Sequence, residues 1–166
     1  MNAIHIADTG QFAAMGHPLN RRYRLVRAFA RQNDVTFVLP ERVYDELTVT
    51  DLDVDNPPID TAVEEGRAHI SAPVEYTTPL VSRTMDGVQR YIANADDRPA
   101  DQVERADSAL AGVSAQAFAE GSADRAYIYT TDIAAGEGAA AIFASEGYGD
   151  SVTDVNGVRF VEDRLE

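Results

Sequence analysis

The sequence predicts an α/β protein of three layers, with a central, mostly parallel sheet of about five strands flanked by helices. Two observations carry this. Short β-branched or apolar runs alternate with segments of helical period. The two most strand-like runs, IHIA at 4–7 and AYIYT at 126–130, also end alike, in Asp8 and Asp132. In an open α/β sheet the carboxyl ends of the strands leave the crevice where ligands bind. If the first strand is central and the 126–130 strand lies across the switch point from it, Asp8 and Asp132 stand side by side.

The remaining elements follow in order. Gly16-His17-Pro18 breaks the passage after Gly10, and a helix over 21–32 sets Tyr23, Leu25, Val26 and Phe29 on one face. Arg21, Arg22, Arg24, Arg27 and Arg31 crowd the rest of that helix, either pairing with an acidic surface or contacting phosphates. A strand at 35–39 precedes Pro40, which suits the first turn of a short helix over 41–47. Val43 and Leu47 mark its buried face, and Glu46 borders that face. The acidic, proline-broken stretch 51–60 is a loop; its alternating aspartates lack the glycine and the closing glutamate of a calcium loop. A brief helix over 61–66, a strand at 69–73 and a helix over 79–93 come next, the last burying Leu80, Val81, Val88, Tyr91 and Ile92.

A further helix runs from Arg98-Pro99 to Gly121, with Val103, Ala106, Leu110, Val113 and Ala117 as its buried stripe. Asp107 lies against that stripe, and a buried charge costs several kcal/mol unless something pairs with it. After the 126–130 strand a helix over 134–145 closes at Gly147. Residues 150–155 and 158–161 read as one or two edge strands, with Asn156-Gly157 as a hairpin turn.

At 166 residues the chain fits one domain, 1–166. No apolar run is long enough to span a membrane, and the expected setting is cytoplasmic. With no cysteine, disulfides and thiolate metal sites are excluded. The net charge is −14, and all 14 basic residues are arginine. An acidic surface without lysine suits a protein of very salty cytoplasm. At about 1 M salt the Debye length is about 3 Å, so net charge no longer bars an approaching nucleic acid.

Four carboxylates converge on one region: Asp8 and Asp132 from strand ends, Glu46 and Asp107 from helices. Such a group does not stay fully ionised without compensation, by protonation or by a hard cation. Oxygen ligands select Mg²⁺ or Mn²⁺ over zinc, and one or two such ions would activate a water and steady the leaving oxygen of a phosphodiester. Taken singly, Asp8 and Asp132 also suit helix N-caps, Glu46 a surface position, and Asp107 a pairing with Arg105 or Arg125. Thr131 either orients a water or only finishes its strand. Glu137 is either one more acid or a first-turn residue favoured by the helix dipole. His5 reads as a packed strand residue.

In the order of these motifs the chain resembles the PIN-domain nucleases, including VapC-like ribonucleases, over nearly its whole length. Asp8-Thr9 matches the family's first strand end, and PERVYDEL places Glu46 at the family's glutamate. RADSAL supplies Asp107, and YIYTTD supplies Thr131 and Asp132. The resemblance implies a PIN-like fold and a Mg²⁺- or Mn²⁺-dependent endoribonuclease acting on single-stranded RNA, as toxin or processing enzyme. It implies Asp8, Glu46, Asp107 and Asp132 as metal ligands, with Thr131 in the catalytic group. RNA, an antitoxin or RNA-processing partner protein and a second copy of the chain are the implied partners. Arg83 and Arg90 join the 21–31 arginines as candidates for positioning the RNA backbone. Two other classes stand beside this one. A binding module on the same fold would keep its RNA or protein binding without Asp8. A phosphatase or phospho-acceptor regulator with Asp8 as nucleophile usually has a nearby second acid or a lysine, and Asp8-Thr9-Gly10 offers no such acid in a chain without lysine.

Overall fold

The computed structural model describes residues 2–8, 11, 21–41, 66, 68–97, 99 and 105–165, the side chains of 105–107, 158, 164 and 165 excepted. Five strands form one sheet: β1 (Ala3–Ala7), β2 (Phe37–Leu39), β3 (Ala68–Ile70), β4 (Arg125–Thr130) and β5 (Val152–Asn156). Their order is β3-β2-β1-β4-β5, and every pairing is parallel. The chain therefore winds outward from β1 through β2 to β3, then crosses back and lays β4 and β5 on the other side. This is the expected switch point, with β1 and β4 in register from Ala3↔Arg125 to Ala7↔Tyr129.

Helices cover both faces, as a parallel sheet requires. Among the described residues they are α1 (Arg21–Gln32), α2 (Pro79–Ala95), α3 (Arg105–Glu120), α4 (Ile133–Ser145) and α5 (Gly157–Leu165). Strand side chains alternate between two cores. Ile6, Ala126 and Ile128 pack with α2, α3 and α4 through Val88, Leu110 and Phe143. Ala7, Phe37, Leu39 and Tyr129 pack with α1 and α5 through Val26 and Phe160. Phe29 of α1 meets Phe160 edge-on, with ring centroids 5.1 Å apart.

α3 is buried on all sides from Ser108 to Ala115, not along one stripe. Small residues make this close packing possible: a Cβ on Gly112 would stand 2.6 Å from Met85 Sδ on α2. Pro79 opens α2 at a position where its missing N–H leaves no helical bond unmade. Gly147, at φ +89°, ends α4 in the left-handed region, and the next N–H returns to Phe143 O at 2.8 Å.

The C-terminal segment corrects one expectation. Residues 157–165 are helix, not a second edge strand, and Asn156-Gly157 is a helix start, not a hairpin turn. Asn156 Oδ1 accepts the Arg159 N–H at 3.0 Å, which is an N-cap bond. Among its described side chains Gly157, Phe160 and Val161 are buried, a spacing of three and four that belongs to a helix. The third strand sits at Ala68–Ile70, slightly before its expected place, and β2 is shorter than 35–39. The expected helix over 41–47 lies outside the described residues beyond Glu41, as does that over 61–66 apart from Gly66. The 51–60 loop lies wholly outside them. Among the described residues no helix is long and apolar enough to cross a membrane.

Candidate functional site

Asp8 continues the β1 ladder by one residue, its N–H donating to Tyr129 O at 3.1 Å. Its half-buried carboxylate receives three donors. Gln11 N–H reaches Oδ1 at 2.8 Å, the Thr130 hydroxyl reaches Oδ2, and the Thr131 N–H makes a further bond. Burial pushes the Asp8 carboxyl above the ordinary aspartate range, the three donors pull it back, and the charge of Asp132 pushes it up again. The net direction is upward, so desolvation outweighs the hydrogen bonds.

Asp132 is half-exposed and caps α4, its Oδ1 accepting from Ala135 N–H at 3.1 Å. The N-cap reading of this residue is thus realised geometrically, and a cap bond to one oxygen leaves lone pairs for another ligand. Thr130 ties the two acids together: its hydroxyl donates to Asp8 and accepts the Asp132 N–H at 3.0 Å. The sequence reading passed over Thr130 in favour of Thr131. Its signal was a hydroxyl at the last buried position of β4, directly before the turn to the aspartate.

α3 leads through a short turn at Gly121 into the start of β4, so its other end lies at the carboxyl pole of the sheet. Asp107, third residue of α3, is therefore placed by the backbone at the pole of Asp8 and Asp132. Glu46 lies outside the described residues. Among the described residues no three His, Asp or Glu side chains gather as a metal-holding group. What the described side chains bring together is a pair, Asp8 and Asp132.

Gln11 also belongs here, and the sequence reading missed it. Its side chain is 0% exposed, and neither Nε2 nor Oε1 has a hydrogen-bond partner. Leaving a buried polar group unpaired costs about 1–3 kcal/mol. The carboxamide lies where a side chain on Gly157 would stand, a Cβ there being 2.5 Å from Oε1 and 3.1 Å from Thr131 Cγ2. Hard carboxylate oxygens at adjacent strand ends, one of them held by the N–H of a residue whose buried carboxamide is unpaired, suit a hydrated divalent cation.

Other candidates fall elsewhere. Glu137 is exposed on the first turn of α4 and accepts from the Tyr91 hydroxyl at 3.4 Å. Burial, and after it the charge of Glu137, push the carboxyl of Asp154 above its ordinary range; Asp154 packs against Gly136. Arg83 is engaged with Glu146 by two bonds of 3.0 Å at the far end of α4 from Asp132. His5 is packed as expected: it stacks on Tyr127 at 4.9 Å, and its Nδ1 is 2.9 Å from the Tyr129 hydroxyl.

The Asp8 geometry has a pH signature. A carboxyl held above its unfolded value favours the protonated fold, so its contribution is fully present below the ordinary aspartate range and is lost as pH rises through the folded value. Metal-free protein is therefore expected to lose thermal stability on raising pH from about 4 toward 7 through this group. A divalent cation is expected to restore it, and Tm measured across that range with and without Mn²⁺ checks both.

A five-stranded parallel sheet flanked by helices, with an aspartate at each of two adjacent strand ends, is consistent with a PIN-like α/β fold. The family model for the Halobacterial PIN domain matches residues 1–166, and the chain belongs to that family. Comparison with curated proteins and with solved structures found no match. PIN domains are nucleases as a class and usually use divalent metal ions. The halobacterial family accounts for the acidic, lysine-free composition.

Proposed function

We propose that this protein is a Mg²⁺- or Mn²⁺-dependent endoribonuclease that hydrolyses phosphodiester bonds of single-stranded RNA. The observation that carries the reading is the Asp8–Asp132 pair at the switch point, with Asp8 fixed by three donors yet raised by burial. Asp8 and Asp132 would hold the cation, with Asp107 and Glu46 completing the carboxylate set. A divalent ion there supplies charge neutralisation to the phosphodiester and acidifies water. The chain's own residues do the rest. Thr130 and Gln11 present Asp8 in one orientation, and the cap bond to Ala135 holds Asp132.

Substrate contacts come from two places. α1 carries five arginines and no acid, and its link through Asn33–Thr36 to β2 turns its first residues, Arg21, Arg22 and Arg24, toward the carboxyl pole. These supply contacts to the RNA backbone. A groove of about 400 Å³ lined by Pro40, Ser71, Val74, Met85, Ala109 and Val113 runs beside α3, close in sequence to Asp107. It offers room for part of a nucleotide.

The test is cleavage of labelled single-stranded RNA in molar KCl with Mn²⁺, with Mg²⁺ and with EDTA. Cuts that depend on the cation are expected. Tight RNA binding by folded protein without cleavage under any of the three would replace the nuclease by a binding module of the same fold.

A further inference from the structure

Gln11 has no place in the carboxylate set, yet among the described residues it is the one side chain with two buried polar atoms unpaired. It is fully buried, and both ends of its carboxamide lack a partner. A methionine or leucine would fill the same space without unpaired polar atoms. The position is also specific. The carboxamide lies against Gly157, the first residue of α5, where the Thr130–Thr131 turn also packs. Thr130 and Thr131 both donate to Asp8, and so does the main-chain N–H of Gln11 itself, at 2.8 Å. One residue thus touches Asp8 through its backbone and places a polar head behind the turn that holds Asp8.

We infer that Gln11 is a positioning residue of the switch-point site, whose carboxamide takes as partner a water admitted with the hydrated divalent cation. The inference rests on the proposed cation site. Pairing the amide on loading fixes the Gln11 N–H, and through it the Asp8 carboxylate, in the orientation that receives the cation. The unpaired amide of the metal-free protein is the penalty that loading relieves, so the cation binds more tightly than to a chain with an apolar residue there.

Gln11→Met separates this role from packing. In EDTA and molar KCl the variant is expected to melt at or above the wild-type temperature, because two unpaired polar atoms are gone. Its Mn²⁺ affinity, by calorimetric titration, is expected to fall roughly 10–100-fold, the range for losing a group that orients a ligand. In the wild type the Gln11 side-chain NH₂ resonances are expected to shift as Mg²⁺ is titrated, with the same dissociation constant as the binding isotherm. Wild-type affinity in Gln11→Met overturns the inference, whatever its melting temperature. If that variant does not fold, or loses stability and affinity together, the wild-type resonances decide: no shift on saturation overturns the role, and a shift supports it. Absence of Mn²⁺ binding by wild-type protein is a different result, which removes the cation site itself.

Discussion

Asp8→Asn is expected to abolish metal-dependent RNA cleavage while making the metal-free protein more stable at pH 7. The two halves have one cause. Burial raises the Asp8 carboxyl and the neighbouring Asp132 charge adds to it, so the ionised form is held at a cost to the apo fold. An asparagine carries no charge, and its carbonyl oxygen still accepts the Gln11 N–H; the Thr130 hydroxyl can turn to face the new amide. What the variant loses is an anionic oxygen ligand. That loss should exceed the roughly 10–100-fold in metal affinity typical of losing an outer-shell partner. A melting curve in EDTA and a cleavage assay in Mn²⁺, on the same preparation, check the pair of effects. A variant less stable than wild type at pH 7 would mean that the three donors, not burial, dominate at Asp8.

Phe143→Ala carries the largest expected loss of stability. Phe143 is 0% exposed, at the centre of the core between the sheet and α2, α3 and α4. It meets Phe118 edge-on at 5.5 Å and Tyr148 at 6.4 Å. Truncating a buried phenylalanine costs about 3–5 kcal/mol, a large part of the roughly 5–15 kcal/mol that holds a domain together. For a chain of this length that lowers Tm by roughly 10 °C. Folded variant should still bind Mn²⁺, since Phe143 lies well along α4 from the Asp132 cap. Thermal unfolding in molar KCl measures the shift, and an unchanged midpoint would mean that this core repacks around the gap.

The fold was legible because its signals are local and redundant. Apolar runs at 4–7 and 126–130 gave β1 and β4, and helical periods gave α1, α2 and α4 nearly to the residue. The β1–β4 neighbour relation followed from the rule for switch points, and with it the juxtaposition of Asp8 and Asp132. Where the reading failed, one short motif had two physical uses. Asn-Gly fits a hairpin turn, but an asparagine side chain caps a helix equally well, and the spacing of Phe160 and Val161 should have decided between them. The α3 stripe was incomplete for another reason: alanine and glycine read as neutral in a hydrophobic pattern, yet they are what lets α3 be buried on every side.

The site was legible in its charged residues only. An aspartate at a strand end announces itself; a threonine hydroxyl bridging two aspartates, or a glutamine amide buried three residues beyond one, does not. Thr130 and Gln11 acquire their roles from β4 standing beside β1 and from α5 starting against the Thr130–Thr131 turn. Both contacts link residues far apart in sequence, which no local pattern encodes. The arginines of α1 illustrate the converse case: their number was plain in the sequence, and only the topology puts the start of α1 at the carboxyl end of the sheet.

The measurement that bears most directly on the Asp8–Asp132 cation site is calorimetric titration of Mn²⁺ into metal-free wild type, Asp8→Asn and Asp132→Asn, side by side in molar KCl. Saturable binding in the wild type, lost in Asp8→Asn and weakened in Asp132→Asn with all three proteins folded, is the expected result. Equal Mn²⁺ affinity in all three would contradict a cation held between these two strand ends.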